Sequence, residues 1–405
     1  MSKQTIIIIG CGIHYREKYH AVLEKRGVEI ALLVDLKANK EIIRAFFEGR
    51  QLQPKHFLFL DNAYRNTLSV EQIEAWVAGL DLSRVDGVLI STEPKVRKPY
   101  VIWAAQHGWD LFMDKPVTAF SSLDQISILE SDTEEMISAV HKHQVRAVVS
   151  CERRAHLGYV WLKNYMNQLI LQEQAPLTGI DIHFSGGVWK TPSEYLHDEN
   201  HPFSYGYGIL LHSGYHYIDL LVCLLALNDP LFPLTKYSLS TMASKPFEGS
   251  GETDFLMIGQ AFSQTTVKTL FSVKLFGTSV STRRSKETNA KLEGRVRQEK
   301  ITLHFGHLSS IHLSSIAYKK LIPQEIEDFT ITVMSSPILK KQHPLITLDR
   351  KDFSQIFLQL PLTASMNTFA RQWQLEEFLE GRDGNSPLSS HRNTVAMLQR
   401  IYQTL

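Results

Sequence analysis

Hydrophobic and polar positions along the first third of the chain alternate between two rhythms. Thr5–Ile9 is an unbroken apolar run rich in β-branched residues, the pattern of a strand buried on both faces. Glycines follow, and a helical period covers residues 15–26. Residues 29–34 read as a second strand ending at Asp35, 38–49 as a helix, 56–60 as a strand and 69–79 as a helix. Gly87–Ile90 and residues 110–113 are two further buried strands, with a helix over 96–106 between them. A helix over 122–138 and a strand at 147–150 close the series. Strands alternating with helices of this length predict a parallel sheet covered by helices on both faces.

Past residue 150 the rhythm changes. A helix is predicted over 156–172, a strand over 179–188, a polar and aromatic loop over 190–205 and a strong helix over 208–227. From 237 to 333 the chain reads as several longer strands, among them 266–275 and 300–305, separated by Gly and Ser clusters. Helices near 365–380 and 391–404 end it. Strands grouped together with helices at the ends predict an α+β domain on an antiparallel sheet. The fold class is therefore α/β: a doubly wound parallel sheet over 1–150, then an α+β domain with a large, mostly antiparallel open sheet over 151–405. The closing helices are free to pack back on the first domain.

Composition narrows the function classes. The 405 residues correspond to two or three domains at about 150 residues each. At 43% hydrophobic and 21% charged, the chain is neither disordered, collagen-like nor a disulfide-stapled miniprotein. Lys plus Arg (43) against Asp plus Glu (42) leaves a net charge of +1. That balance gives no reason to expect a nucleic-acid or membrane-surface partner. Cys11, Cys151 and Cys223 are too few and too scattered for a disulfide framework or a zinc site, which fits a reducing compartment. The longest apolar runs, Thr5–Ile9 and 220–227, fall far short of the roughly 20 residues of a membrane helix. No signal-peptide pattern opens the chain. The expectation is a cytoplasmic protein.

The first chemistry-bearing segment is Gly10-Cys11-Gly12-Ile13-His14-Tyr15, which follows a buried strand and opens a helix. A dinucleotide fingerprint needs that context: the first glycine makes the tight turn, and the second lets backbone approach a pyrophosphate at the helix N-terminus. Tyr15 stands where the third glycine would be, so the match is incomplete. Asp35 ends the second strand about 20 residues on, where a carboxylate accepts ribose hydroxyls and repels a 2′-phosphate. Asp35 reads otherwise as a cap for the next helix. Lys37 would offset the repulsion, so NAD is favoured while NADP stays open.

Ser91, Thr92 and Glu93 follow the strand Gly87–Ile90, and Asp114-Lys115-Pro116 follows the next strand. The carboxyl ends of strands in a doubly wound sheet form the ligand crevice. The glycine turn, Ser-Thr-x-Pro and Asp-Lys-Pro, in this order and spacing, resemble the glucose–fructose oxidoreductase / inositol dehydrogenase / MocA family. The resemblance implies an N-terminal Rossmann domain and a lysine, here Lys115, between nicotinamide and substrate, with Asp114 in place of the more usual glutamate. The residues support the same chemistry. A lysine in a partly dry crevice has a lowered pKa and can exchange a proton with a hydroxyl or polarise a carbonyl.

A third block, Gly208-Ile209-Leu210-Leu211-His212-Ser213-Gly214-Tyr215-His216-Tyr217-Ile218-Asp219, resembles the family's glycine-rich helix. His212, His216 and Asp219 fall at i, i+4 and i+7, one face of an α-helix. Gly214 suggests close approach by backbone or ligand. The resemblance makes His216 the catalytic or substrate-orienting histidine, brings it near Lys115, and puts Tyr215 and Asp219 with the substrate. His212 replaces the family's first aspartate. It reads as a partner in the proton relay, as a sign of a different substrate, as a mark of lost redox activity or as a plain helix residue. A zinc-protease pattern is absent because Ser213, not Glu, follows His212, and no metal is expected.

Arg153, beside Glu152, is the candidate for a substrate or partner contact and reads equally as a salt-bridge residue. Trp189, Tyr195, His197, His201, Tyr205 and Tyr207 suit either stacking on a sugar or packing under a loop. Cys11 and Cys151 near these positions are open to a redox-sensitive reading. An open sheet needs its outer face covered, so a homodimer or homotetramer is expected. The leading functional expectation is an NAD(P)-dependent oxidoreductase acting on a secondary alcohol or carbonyl of a sugar, cyclitol or related small molecule. The alternatives are a cofactor-retaining glycosidase or lyase and a non-catalytic ligand sensor on the same fold.

Overall fold

The structure, a computed structural model, describes residues 4–186, 208–245, 251–264, 267–277, 282–284, 292–306, 309–319, 326–334, 354–360 and 366–405. Trp189, Tyr195, His197, His201, Tyr205 and Tyr207 lie outside them. The chain divides into two compact units, one of Met1–Ala155 with Thr368–Gln399 and one of His156–Asn367 with Arg400–Leu405.

The first unit is a six-stranded sheet of β1 (Thr5–Ile9), β2 (Glu29–Leu36), β3 (Pro54–Leu60), β4 (Gly87–Ile90), β5 (Asp110–Asp114) and β6 (Ala147–Ser150). Every pairing is parallel and the order is β3-β2-β1-β4-β5-β6, the doubly wound dinucleotide-binding order. The chain reverses its direction of travel between β1 and β4, so the crevice lies beyond their carboxyl ends. β1, β4 and β6 are buried along their whole length, as their unbroken apolar runs require. The intervening helices are α1 (His20–Lys25), α2 (Lys40–Phe47), α3 (Val70–Val77), α4 (Arg97–Gln106) and α5 (Ile128–Lys142).

The first unit also takes in residues far along the chain. Helix Met366–Leu379 supplies Leu375, Phe378 and Leu379 to a core shared with Ile6, Ile8, Leu89, Phe112 and Val148. A side chain at Gly87 would meet the Phe378 ring at 3.1 Å. Arg146 donates to Asp110 and to the carbonyls of Phe378 (3.0 Å) and Arg382 (2.8 Å). A division at residue 150 therefore leaves the first unit without part of its core.

The second unit carries a nine-stranded sheet, in the order β15-β14-β13-β12-β7-β10-β9-β8 with β11 paired to β12. Its strands are β7 (Leu177–Ser185), β8 (Leu234–Ser244), β9 (Asp254–Ser263), β10 (Lys268–Phe276), β11 (Thr282–Arg284), β12 (Leu292–Phe305), β13 (Ser309–Lys319), β14 (Ile326–Met334) and β15 (Ser354–Leu360). All pairings are antiparallel except β7 with β10. Phe184 of β7 stacks on Tyr217, with ring centroids 4.6 Å apart, so the helix predicted over 208–227 covers one face. Counted as one helical stretch, Leu210–Asn228 has 19 residues and is apolar enough to cross a membrane, but 67% of it is buried inside the protein. It is a core helix, longer than the apolar run at 220–227 suggests.

Candidate functional site

Gly10 and Gly12 are glycines for different reasons. Gly10 has φ +89°, and a Cβ there would lie 2.6 Å from the Ser91 carbonyl oxygen. Turn geometry and the neighbouring strand end both demand it. A Cβ on Gly12 would meet nothing within 4 Å, so nothing in the protein itself demands a glycine. Open space beside backbone at the tip of a β–α turn is what the approach of a ligand phosphate requires. Ile13 is 59% exposed, and the His14 side chain lies at the same open tip, 3.9 Å from Asp114.

Tyr15 is accommodated by a change in helix type. Residues Tyr15–Tyr19 form a π-helical turn before α1. The Tyr15 ring points into the core, where its hydroxyl meets His20 Nδ1 at 3.2 Å. The same turn brings the Tyr19 hydroxyl onto the Asp114 carboxylate and within 3.2 Å of Ser150. Spacing along the sequence gives neither tyrosine a place in the site, since their roles depend on the π turn.

Asp35 is 9% exposed and already holds three donors: Cys11 N–H (2.6 Å), Leu36 N–H (2.7 Å) and Asn39 Nδ2 (2.7 Å). A carboxylate has about four lone-pair sites, so about one is left for a ribose hydroxyl, not enough for two. It does not cap α2, which starts at Lys40 after a short 3₁₀ turn. Lys37 lies on the surface 3.9 Å from Asp61, a partner that weakens any pull on a 2′-phosphate.

Asp114 is the hub of this unit. Its carboxylate accepts from Ser91 Oγ (2.5 Å) and Tyr19. Burial pushes its carboxyl up, but His14, Arg97 and Ser91 outweigh burial and hold it well below the usual carboxylate range. Lys115 follows at the carboxyl end of β5, and its bond to Pro116 is cis. Burial, reinforced by Arg371 against the pull of Asp114, brings the Lys115 ammonium down to about 7. Arg371, from helix Met366–Leu379, pairs with Glu152. Glu152 also accepts from Arg153 Nη1 at 2.8 Å. Arg153 is only 2% exposed, so it belongs to a buried ion network and has no open surface for a substrate. Cys11 is likewise sealed: burial and the Asp35 charge push its thiol up to about 12, which makes it a poor redox sensor.

In the second unit, His212 falls in a second π-helical turn, Leu210–Gly214, ahead of helix Tyr215–Leu225. The bond from Gly214 N–H to Ile209 O (2.6 Å) spans five residues, so the simple i, i+4 α-helical face predicted for His212 and His216 does not hold there. His212 is partly exposed, and its Nδ1 lies 3.1 Å from Ser213 Oγ. His216 is 6% exposed; Tyr215 and Asp219 are at 0% and present no surface to a ligand. The close neighbours at Gly214 are Leu275 of β10 and the Ile209 carbonyl, where a Cβ would sit at 2.7 and 2.8 Å. They explain this glycine without a ligand. Glu252, 1% exposed, accepts from Leu210 N–H and Tyr402 Oη, both at 2.9 Å, and so caps the turn. Burial pushes its carboxyl up. Among the described residues no group of three or more His, Cys, Asp or Glu is placed to hold a metal.

Solved structures with this architecture are numerous. An oxidoreductase from Agrobacterium radiobacter, in complex with NAD+, L-tartaric acid and magnesium, aligns with a TM-score of 0.59 at 15% identity, over 100% of this chain and 96% of that one. The chain has the fold of these oxidoreductases. Aldose-aldose oxidoreductase from Caulobacter crescentus, complexed with glycerol, aligns at 0.59 and 13% identity over 100% and 97%. The WlbA dehydrogenase from Bordetella pertussis, in complex with NADH and UDP-GlcNAcA, gives 0.58 and 13% over 100% and 96%. No family profile and no curated protein matches the sequence.

Proposed function

We propose that the protein is an NAD-dependent oxidoreductase that moves a hydride between the nicotinamide and a secondary alcohol or carbonyl of a sugar, cyclitol or related small molecule. The observation that carries this reading is Lys115. Its amine, brought down to about 7, stands at the carboxyl end of β5 in a sheet whose glycine turn is open at Gly12. NAD supplies the hydride acceptor when bound. Gly12, Ile13 and His14 would hold its pyrophosphate at the helix N-terminus, and Asp35 one ribose hydroxyl. Ser91, Thr92 and Glu93 would line the nicotinamide side. Lys115 takes the hydroxyl proton during oxidation and returns it to the carbonyl oxygen during reduction. Asp114, fixed by Tyr19 and Ser91, stays ionised beside it. The resemblance gives His216, on helix Tyr215–Leu225, and His212, in the π-helical turn before it, to orienting substrate.

The complexes with NAD+ and NADH among the fold neighbours support this choice of cofactor. The carboxylate of Asp35 and the pairing of Lys37 favour it over NADP. Met242 (69% exposed), Ile258 (58%) and Leu270 (55%) share the outer face of the second unit's sheet and support a homo-oligomer, to be read by sedimentation.

Thermal unfolding of cofactor-stripped protein with NAD, NADH, NADP and NADPH tests the reading. Ligand at 100 times its dissociation constant should add about 2.7 kcal/mol of stability, with NAD and NADH effective. No shift with any of the four would overturn the nucleotide site and with it the enzyme.

A further inference from the structure

Lys115 is useful to a reacting oxygen only if its backbone is fixed, and the end of a strand is where backbone is least constrained. One side chain fastens both flanks of this lysine. Arg97, the first residue of α4, is 3% exposed. Its Nε and Nη2 donate to the Thr92 carbonyl at 3.0 and 2.8 Å. Its Nη1 donates to the carbonyls of Asp114 and Pro116, the residues on either side of Lys115. Three carbonyls from the ends of two neighbouring strands therefore converge on one guanidinium. A buried guanidinium is costly unless its donors are used. A rigid planar fork reaches the three carbonyls from three separate nitrogens and fixes their spacing, whereas a lysine ammonium offers a single nitrogen on a flexible stem.

We infer that Arg97 is the positioning residue of the Lys115 site. It ties the turn after β4 to the peptide groups that bracket the lysine and so sets where the amine stands. This role rests on the reading of Lys115 given above. It concerns a residue that need not touch substrate, and a misplacement of 1 Å at such a site costs about 100-fold in rate.

The test measures the lysine directly and needs no substrate. Native protein, Arg97→Lys, Arg97→Gln and the control Arg146→Gln are labelled with an acylating reagent across neutral and alkaline pH. Modification of Lys115 is read by peptide mass spectrometry against the exposed Lys55. Arg146 also bonds distant carbonyls of the first unit, so its loss reports general destabilisation. Both Arg97 variants are expected to shift the pH profile and rate of Lys115 labelling, with Arg146→Gln at the native profile. Once a substrate is in hand, kcat should fall about 100-fold while NAD affinity holds. The Arg97 charge itself helps to lower Lys115, so Arg97→Lys, which keeps that charge, is the variant that decides position, and it serves alone if Arg97→Gln does not fold. Folded Arg97 variants that label Lys115 as the native protein does would overturn the positioning role. The native profile alone judges the functional reading: a Lys115 that titrates like Lys55 would sink the proton-transfer role, and the difference between native and variant would still decide Arg97.

Discussion

At the scale of single residues, Lys115 is held in a form its surroundings make expensive. Its folded pKa, about 7, lies below the ordinary 10.5, so the folded state releases a proton that the unfolded chain keeps between those values. Stability therefore rises with pH across that window, and the penalty is full below it. Lys115→Met should stabilise the cofactor-free protein by about 1 kcal/mol or more at neutral pH, a gain that fades as pH approaches 10.5. Denaturant unfolding at several pH values reads this, while the same variant should lose hydride transfer and still bind NAD. If Lys115 is the base, as proposed, the rate of alcohol oxidation should climb with pH and level off above about 7, where the amine is free. The two glycines of the turn separate in the same way. Gly10→Ala meets a positive φ and the Ser91 carbonyl and should cost more than about 1 kcal/mol. Gly12→Ala should leave stability unchanged or raise it by about 0.5 kcal/mol, yet weaken NAD binding at least about tenfold, as calorimetry would show.

At the scale of elements, the two π-helical turns among the described residues, Tyr15–Tyr19 and Leu210–Gly214, fall in the glycine-turn segment and the histidine segment. Such turns are frequent at functional sites. They also mark where reading by period fails, because neither Tyr15 in a glycine position nor His212 in an aspartate position announces an altered hydrogen-bond ladder. The strands of the first unit were legible almost to their ends, since buried runs such as Thr5–Ile9 and Gly87–Ile90 have no other stable environment; the helix read over 122–138 instead runs Ile128–Lys142, after a 3₁₀ turn at Leu123–Gln125. Gly214→Ala should cost about 1–3 kcal/mol, through Leu275 and the Ile209 carbonyl, in thermal unfolding of the whole chain. His20 of α1 is buried edge-on against Phe46 and Phe47, and its Nε2 has no hydrogen-bond partner. Burial lowers its pKa from 6.5, so it contributes fully above that value and loses its contribution as pH falls through the lowered folded pKa. His20→Phe should flatten the acid side of the stability profile.

At the scale of the whole molecule, the first unit is completed by a segment more than two hundred residues beyond β6. Phe378, 4% exposed, packs on Phe112 with ring centroids 5.6 Å apart, and Phe378→Ala should cost about 3–5 kcal/mol in denaturant unfolding. A fragment ending at residue 155 would lack Leu375, Phe378 and Leu379 of that core and should not fold stably. The sequence by itself determined the kind of each sheet, the order of strands and helices in the first unit and the glycine turn. These follow from local pattern: which residues are apolar, how they repeat, and which turns interrupt them. Only the tertiary structure decided that Asp35 is largely spent on the turn and that Arg153 and Tyr215 are buried. It alone brought Tyr19, Arg97 and Arg371 to the strand end that carries Lys115. Those facts depend on side chains from distant positions meeting in one low-dielectric interior, where hydrogen bonds and charges are paired by space rather than by spacing along the chain.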